Sequence, residues 1–339
     1  MPESRRTIKD FFPRPYVPAR WLPGAHAQTV AGRYLRPKTG VRYRRERIDT
    51  PDGDFVDLDF AFVPGSRRPP AADAPLALVV HGLEGSTASG YVLETCRRLW
   101  DRGIRAVAMN FRACGGEPNR LPRFYHAGDT GDVAHVLDLL AERDPGVPLA
   151  AIGFSLGANV LLKYLGERGD GARVKAAAGI SIPFDLSAGA DQLWSTPMGR
   201  VYTGIFVRSL QAKFRRKQHL IGDACDHRRV LSARSFREFD DAATARLHGF
   251  AGVDDYYGRS SCAQFLPRVR VPTLVVHAED DPFVPPRAIP RETLRANPCL
   301  TAAITPHGGH VGFIAGPPWR PRFWAEAEAA RFVAEMLKR

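Results

Sequence analysis

Between residues 76 and 305 the chain repeatedly sets nearly continuous apolar runs that are too short for helices. They are LALVV (76–80), IRAVAMN (104–110), LAAIGF (149–154), VKAAAGISI (174–182), TLVVHA (273–278) and LTAAIT (300–305). A strand without a polar face must be covered on both sides, which points to a mostly parallel, twisted sheet between two helical layers. Helical segments near 89–102, 129–143 and 156–168 alternate with these runs. In the second of them Val133, Val136, Leu137 and Leu140 share one face, as a helix lying on a sheet requires. A last helix near 322–338 sets Phe323, Ala327, Ala330, Val333 and Leu337 on one stripe. Asp129, just before the second helix, is expected to be its N-cap.

Two intervals depart from this rhythm. In 41–63, VRYRRERIDT and DFVDLDFAFV flank Pro51-Asp52-Gly53 and read as a strand pair. From 183 to 270, 88 residues separate two strands that a simple crossover would join with far fewer, so a helical insertion is expected there, placed as a cap over an active site. Residues 1–40 are rich in proline and arginine and read as an irregular arm over the domain. The expected organisation is thus an arm (1–40), an α/β core (41–182 and 271–339) and a cap (183–270).

Of the net charge of +12, residues 1–47 supply +9, from 12 Lys/Arg against 3 Asp/Glu. With a second cluster at Lys213-Phe214-Arg215-Arg216-Lys217, this reads first as solvated surface and second as peripheral contact with an anionic membrane. Nucleic acid is not expected as a partner, because no binding motif accompanies either patch. Five cysteines (Cys96, Cys114, Cys225, Cys262, Cys299) without C-x-x-C spacing read as buried free thiols rather than a disulfide framework or zinc site. No apolar run is long enough for a membrane span and the N-terminus lacks a signal-peptide core, so a cytoplasmic protein is expected. The paired acids at 240–241 and 254–255 are expected to hydrogen-bond within the cap, and no metal or other cofactor is expected.

GFSLGAN (153–159) fits G-x-S-x-G. Directly after a strand and opening a helix, it would force Ser155 into a strained turn that only small neighbours tolerate, and Gly153 and Gly157 occupy those places. A neutral hydroxyl is a weak nucleophile and needs a base, oriented in turn by an acid. Both follow later strands, in the order Ser, Asp, His. Asp281 is preferred to Asp280 because it immediately precedes a proline-containing turn. His310 is preferred to His307 because Gly308 and Gly309 permit a tight approach to the serine. A tetrahedral oxyanion also needs backbone N–H donors. Leu156 follows the nucleophile, and Leu83 lies in the loop His81-Gly82-Leu83-Glu84-Gly85 after LALVV; these two are the expected donors, with His81 holding the loop.

The ordered segments HGLEGSTASGY, NFRACGGEPNR, YHAGDTGD, GFSLGAN, FDDAATARLHGF, DDYY, DDPFVP and HGGHVGF, together with WLPGAHAQT in the arm, closely resemble the YheT-like or EMB8-like α/β-hydrolases, relatives of the ABHD1 and ABHD3 proteins. The resemblance runs from about residue 16 to the C-terminus. Ala113 departs from the usual pattern after NF, and Arg246 stands where proline is usual before LHGF. What the resemblance implies is a serine hydrolase with Ser155, Asp281 and His310 as its triad, acting on carboxylic esters. The expected reaction is ester hydrolysis through an acyl-enzyme on a small-molecule or acyl-lipid substrate. The alternatives are acyl transfer by the same intermediate and a non-catalytic lipid- or protein-binding module.

Overall fold

The computed structural model describes residues 11–37 and 39–338. Eight strands form one sheet: β1 (Arg42–Asp49), β2 (Phe55–Phe62), β3 (Leu76–Val80), β4 (Arg105–Asn110), β5 (Leu149–Phe154), β6 (Ala176–Ile180), β7 (Thr273–Ala278) and β8 (Leu300–Thr305). Their spatial order is β1-β2-β4-β3-β5-β6-β7-β8. The β1 and β2 hairpin, and β2 against β4, are antiparallel, and every later pairing is parallel. The five runs β3 to β7 are buried along nearly their whole length, which explains why they carry no polar face. A separate pair of two-residue strands, β9 (Ile314–Ala315) and β10 (Arg322–Phe323), closes the last loop.

Helices α1 (Ala25–Tyr34), α2 (Gly90–Trp100), α3 (Thr130–Arg143) and α4 (Leu156–Arg168) precede the insertion. The insertion holds α5 (Leu186–Ser195), α6 (Pro197–Ile221), α7 (His227–Ser232), α8 (Phe236–Phe239), α9 (Ala245–Leu247) and α10 (Val253–Ser260); α11 (Arg291–Ala296) and α12 (Trp324–Leu337) complete the core. On one sheet face Val133, Leu137, Val160 and Leu161 of α3 and α4 pack on Leu78 and Val80. On the other, Val92 and Leu99 of α2 and Ala329, Phe332 and Val333 of α12 pack on Val79, Ile152 and Val276. The alternation of the strand thus feeds two cores at once.

Four expectations are corrected. The arm is not irregular throughout, since residues 25–34 form α1. Its sequence AHAQTVAGRY has no apolar stripe, and its helix is held by tertiary contacts. Asp129 stands at the N-cap position of α3, but its carboxylate makes no cap bond and instead accepts from Arg123 at 2.6 Å. Cys96, Cys225 and Cys262 are buried, whereas Cys114 and Cys299 are only partly so; all five are free. The basic cluster at 213–217 is not all surface, because Lys217 is fully buried, donating to Asn119 Oδ1 and the Arg123 carbonyl at 2.7 Å each. Among the described residues no group of three or more His, Cys, Asp or Glu side chains could hold a metal. Asp240 and Asp241 accept from Thr244, Tyr257, Arg229 and the Val253 N–H, while Asp254 and Asp255 pair with Arg237 and Arg259.

Ala113, in the turn after β4, has φ 62, a left-handed conformation that costs a residue with a Cβ about 1–2 kcal/mol. Ala113→Gly removes that cost and adds about 0.5–1 kcal/mol of unfolded-chain freedom. Thermal denaturation is expected to show a small net stabilisation; a lowered Tm would contradict the strain at this turn.

Candidate active site

The turn from β5 into α4 is built around absent side chains. Ser155 sits at φ 49 and ψ −122, outside the ordinary regions for an L residue. A Cβ on Gly157 would stand 2.3 Å from the His81 carbonyl oxygen, and one on Gly153 would stand 2.7 Å from Ala158 Cα. Only glycine at both places lets the helix start this close to β3. Gly82 likewise lies against the serine, where an added Cβ would come within 3.0 Å of Ser155 Cβ.

The strand ends bring three side chains into one hydrogen-bonded chain. The Ser155 hydroxyl donates to His310 Nε2 at 2.9 Å, and His310 Nδ1–H donates to Asp281 Oδ2 at 2.8 Å. The carboxylate partner, an acceptor only, assigns the Nδ1–H tautomer. Asp281 Oδ1 accepts from the Phe283 N–H at 2.8 Å. Burial would push the Asp281 carboxyl up, but the charge and hydrogen bond of His310 outweigh it and hold it below the usual range. Asp280 turns elsewhere, accepting from the Gly309 N–H at 2.8 Å, and His307 is exposed beside it at 3.3 Å. Such an arrangement can take a proton from the hydroxyl while the oxygen attacks an electrophile.

The Leu83 and Leu156 residues both line the cavity beside Ser155, and the N–H of neither donates to another group among the described residues. The loop that carries Leu83 is fixed on both sides of it. Gly82 N–H donates to the Tyr91 hydroxyl at 3.0 Å, and Glu84 N–H donates to the Tyr125 hydroxyl at 2.9 Å. His81 Nδ1–H donates to the Gly82 carbonyl at 2.7 Å, while its Nε2 accepts from the Phe111 N–H at 3.2 Å. Burial pushes the His81 imidazole down to about 4, keeping it neutral and able to accept.

Several contributors carry no sequence signature of their own. Glu84 has φ 54, and its carboxylate receives Lys213 Nζ at 2.7 Å, the Tyr125 hydroxyl at 2.9 Å and the Ser209 hydroxyl. Lys213 and Ser209 belong to α6, so the cap is tied directly to the loop under the serine. Phe283 stacks on the His310 ring at 4.2 Å and 18°, with Tyr202 of α6 behind it at 5.0 Å. The His310 loop is held by α1 and the residues just after it: Thr29 Oγ1 accepts from the His310 N–H at 2.9 Å, Gln28 Oε1 from the Ile314 N–H at 2.8 Å, and Arg36, past the end of α1, donates to the Val311 carbonyl at 2.7 Å. A side chain on Gly309 would meet the Ala25 carbonyl at 2.5 Å, so the glycines of HGGHVGF make room for α1.

Ser155 and His310 open on a cavity of about 830 Å³ between core and cap. Its apolar wall comes from Leu186, Leu193, Val201, Ile205 and Phe206 of α5 and α6, and its more polar end from Tyr125, His126, Asp240, Thr244 and Tyr256. This is the size and mixture of a site for a mainly apolar small molecule.

The model of the alpha/beta hydrolase fold matches residues 75–317. YheT of Escherichia coli (strain K12), described as a candidate esterase, is 37% identical over 326 residues, spanning 95% of this chain and 94% of its own. The chain belongs to the α/β-hydrolase family, in its YheT-like branch. The phospholipase ABHD3 of Mus musculus is 32% identical (95% of this chain, 79% of its own), and a monoacylglycerol lipase of Saccharomyces cerevisiae is 30% identical (90% and 77%). Among solved structures, the Pyrococcus furiosus esterase Pf2001 superposes with a TM-score of 0.53 over 88% of this chain and 89% of its own, at 16% identity, a likeness of fold alone.

Burial pushes the Asp240 carboxyl up to about 6 despite bonds from Thr244 and Tyr257. An unfolded aspartate titrates near 4, so between about pH 4 and 6 the folded chain binds more protons than the unfolded one. Stability therefore falls as pH rises through that window, and the deficit persists above it. Asp240→Asn removes this contribution. Its Tm relative to wild type is expected to climb between pH 4 and pH 7; a constant offset across melts in that range would contradict it.

Proposed function

We propose that this hydrolase cleaves carboxylic esters with Ser155 as nucleophile, His310 as general base and acid, and Asp281 as the group that orients and stabilises the imidazolium. Ser155 Oγ attacks the ester carbonyl as its proton passes to His310 Nε2. The oxyanion is met by the N–H groups of Leu83 and Leu156, each preorganised and facing no competing acceptor. Collapse breaks the bond to the alcohol oxygen, which leaves with the proton from His310. Water, deprotonated by the same imidazole, then splits the acyl-enzyme and frees the acid. The observation that carries the reading is the Asp281–His310–Ser155 chain at 2.8 and 2.9 Å, ending on an apolar cavity. The esterase, phospholipase and lipase names of its relatives favour an acyl ester with an apolar chain as substrate. Five free cysteines fit a reducing compartment, and we assign the enzyme to the cytoplasm.

The test is turnover of p-nitrophenyl esters from acetate to palmitate, with fluorophosphonate labelling alongside. Ser155→Ala is expected to abolish both signals, and His310→Ala to lower kcat by about 10⁴–10⁶. Labelling that persists in Ser155→Ala would overturn the nucleophile assignment. Lys213→Met removes one of the two α6 ties to Glu84, leaving the Ser209 hydroxyl as the other, and loosens the loop bearing Leu83. It is expected to lower kcat by about tenfold or more with KM little changed; an effect confined to KM would place Lys213 in substrate binding instead.

A further inference from the structure

The cavity mouth is framed by apolar side chains that no part of the described chain covers. On α1, Val30 and Tyr34 stand one turn apart, with Tyr34 74% exposed. Across the mouth, Trp194 of α5 and Met198, Val201 and Ile205 of α6 are exposed to between 40% and 55%. The spacing of 198, 201 and 205 gives one helical face, opposite the buried Val207 and Phe214 that seat α6 on the protein, with Tyr202 at its inner edge. The two sides of the mouth are joined by a 3.1 Å hydrogen bond between His26 Nδ1 and the Tyr202 hydroxyl. Val30, Tyr34, Met198, Val201 and Ile205 also line the cavity that holds Ser155. An apolar rim continuous with a substrate cavity is a surface that gains by being covered.

The charge around the rim selects what covers it. Residues 11–45 and 192–222, which include α1 and α6, contain no aspartate or glutamate. The exposed face of α6 continues from Ile205 into Arg208 and Arg215, while Arg33 and Arg200 stand exposed beside Tyr34 and Trp194, the Arg200 guanidinium lying 5.5 Å from the Trp194 ring. Apolar side chains flanked by cations, with the nearby Asp191 of α5 paired to Arg237 at 2.9 Å, match a lipid bilayer with anionic headgroups, in which the apolar groups enter the acyl boundary and the arginines meet phosphates. No described helix is long and apolar enough to cross a membrane.

We propose that this face docks peripherally on an anionic phospholipid surface, presenting the mouth to ester substrates carried in the bilayer. The proposal rests on the ester-hydrolase reading and names where its substrate is met. Docking occurs without a covalent step: the rim seats, the cavity opens toward the lipid, and an acyl ester enters with its chain along Val201 and Ile205.

The test is co-sedimentation of the full chain with vesicles of phosphatidylcholine alone or mixed with phosphatidylglycerol, at low and high salt. Binding is expected only to the anionic vesicles and is expected to weaken as salt screens the arginines. The variant Trp194→Ser/Arg200→Glu/Arg208→Glu alters no cavity-lining residue. It is expected to lower the vesicle-bound fraction about tenfold or more while p-nitrophenyl butyrate turnover in solution stays at the wild-type rate. Thermal melts check that it folds. Wild type that stays in the supernatant at low salt, a variant that binds equally, or a rim covered by a second copy in analytical ultracentrifugation would each overturn the docking. Soluble-ester turnover without vesicle binding sinks the docking alone. Vesicle binding without turnover upholds the docking and sinks the ester-hydrolase reading.

Discussion

The contact on which the site depends is the approach of the α4 N-terminus to the end of β3, where Gly157 lies so close to the His81 carbonyl that a methyl group could not fit. That approach puts Ser155 at positive φ and lifts its Oγ off the sheet. It also brings the loop after β3 against the serine, so the same packing that strains Ser155 sets the backbone N–H groups of that loop beside it. The strain is supported by surroundings that resist relaxation: α4 is buried almost completely, and Ser155 N–H donates to the Ile180 carbonyl at 2.8 Å. Rigidity at this point comes from interior close packing, in which even one added methylene would displace backbone.

A second constraint is electrostatic. Arg112 is buried between Asp52, Asp54 and Asp132, with contacts of 2.6 to 3.1 Å. Arg45 and Arg47 cover Asp59 and Asp57 of β2 at 2.7 and 2.8 Å. Asp57 and Asp59 look like the solvent face of an alternating strand, yet both are buried, because Arg45, Arg47 and the turn after β4 lie over them. Burying any one of these charges alone would be costly, and together they fix the antiparallel edge and the loop that carries Tyr125 to Glu84. Arg36 acts in the same way at the other end, where its guanidinium meets buried Glu326 of α12 at 2.6 Å while bonding the Val311 carbonyl.

The centre of the sheet, β3 to β7, was legible in the sequence because those strands are buried on both faces, which restricts them to mainly apolar residues. Ser155 was legible for a steric reason, since the turn tolerates only glycines around it, and Asp281 and His310 because they follow strands that must end on one side of a parallel sheet. Contacts made by residues distant in the chain were not legible. Nothing in AHAQTVAGRY marks a helix that holds His310, since it has no apolar stripe and its partners lie some 280 positions away. Lys213 sits in a run of cations and reads as surface. Only the folded cap shows that it reaches Glu84, and the positive φ of Glu84 has no glycine to announce it.

Arm and cap therefore do more than cover the core. Thr29, Gln28 and Arg36 hold the His310 loop from one side, and Tyr202, through Phe283, presses on its ring from the other. Lys213 and Ser209 anchor the opposite wall of the cavity. The same two elements, α1 and α6, carry on their outer faces the apolar and cationic rim of the mouth. A surface seated on this rim would lie on helices whose inner faces bond the His310 loop and Glu84. A cap attached only to the core's periphery would lack that connection, whereas here each helix spans from solvent to the site within one helical diameter of about 10 Å.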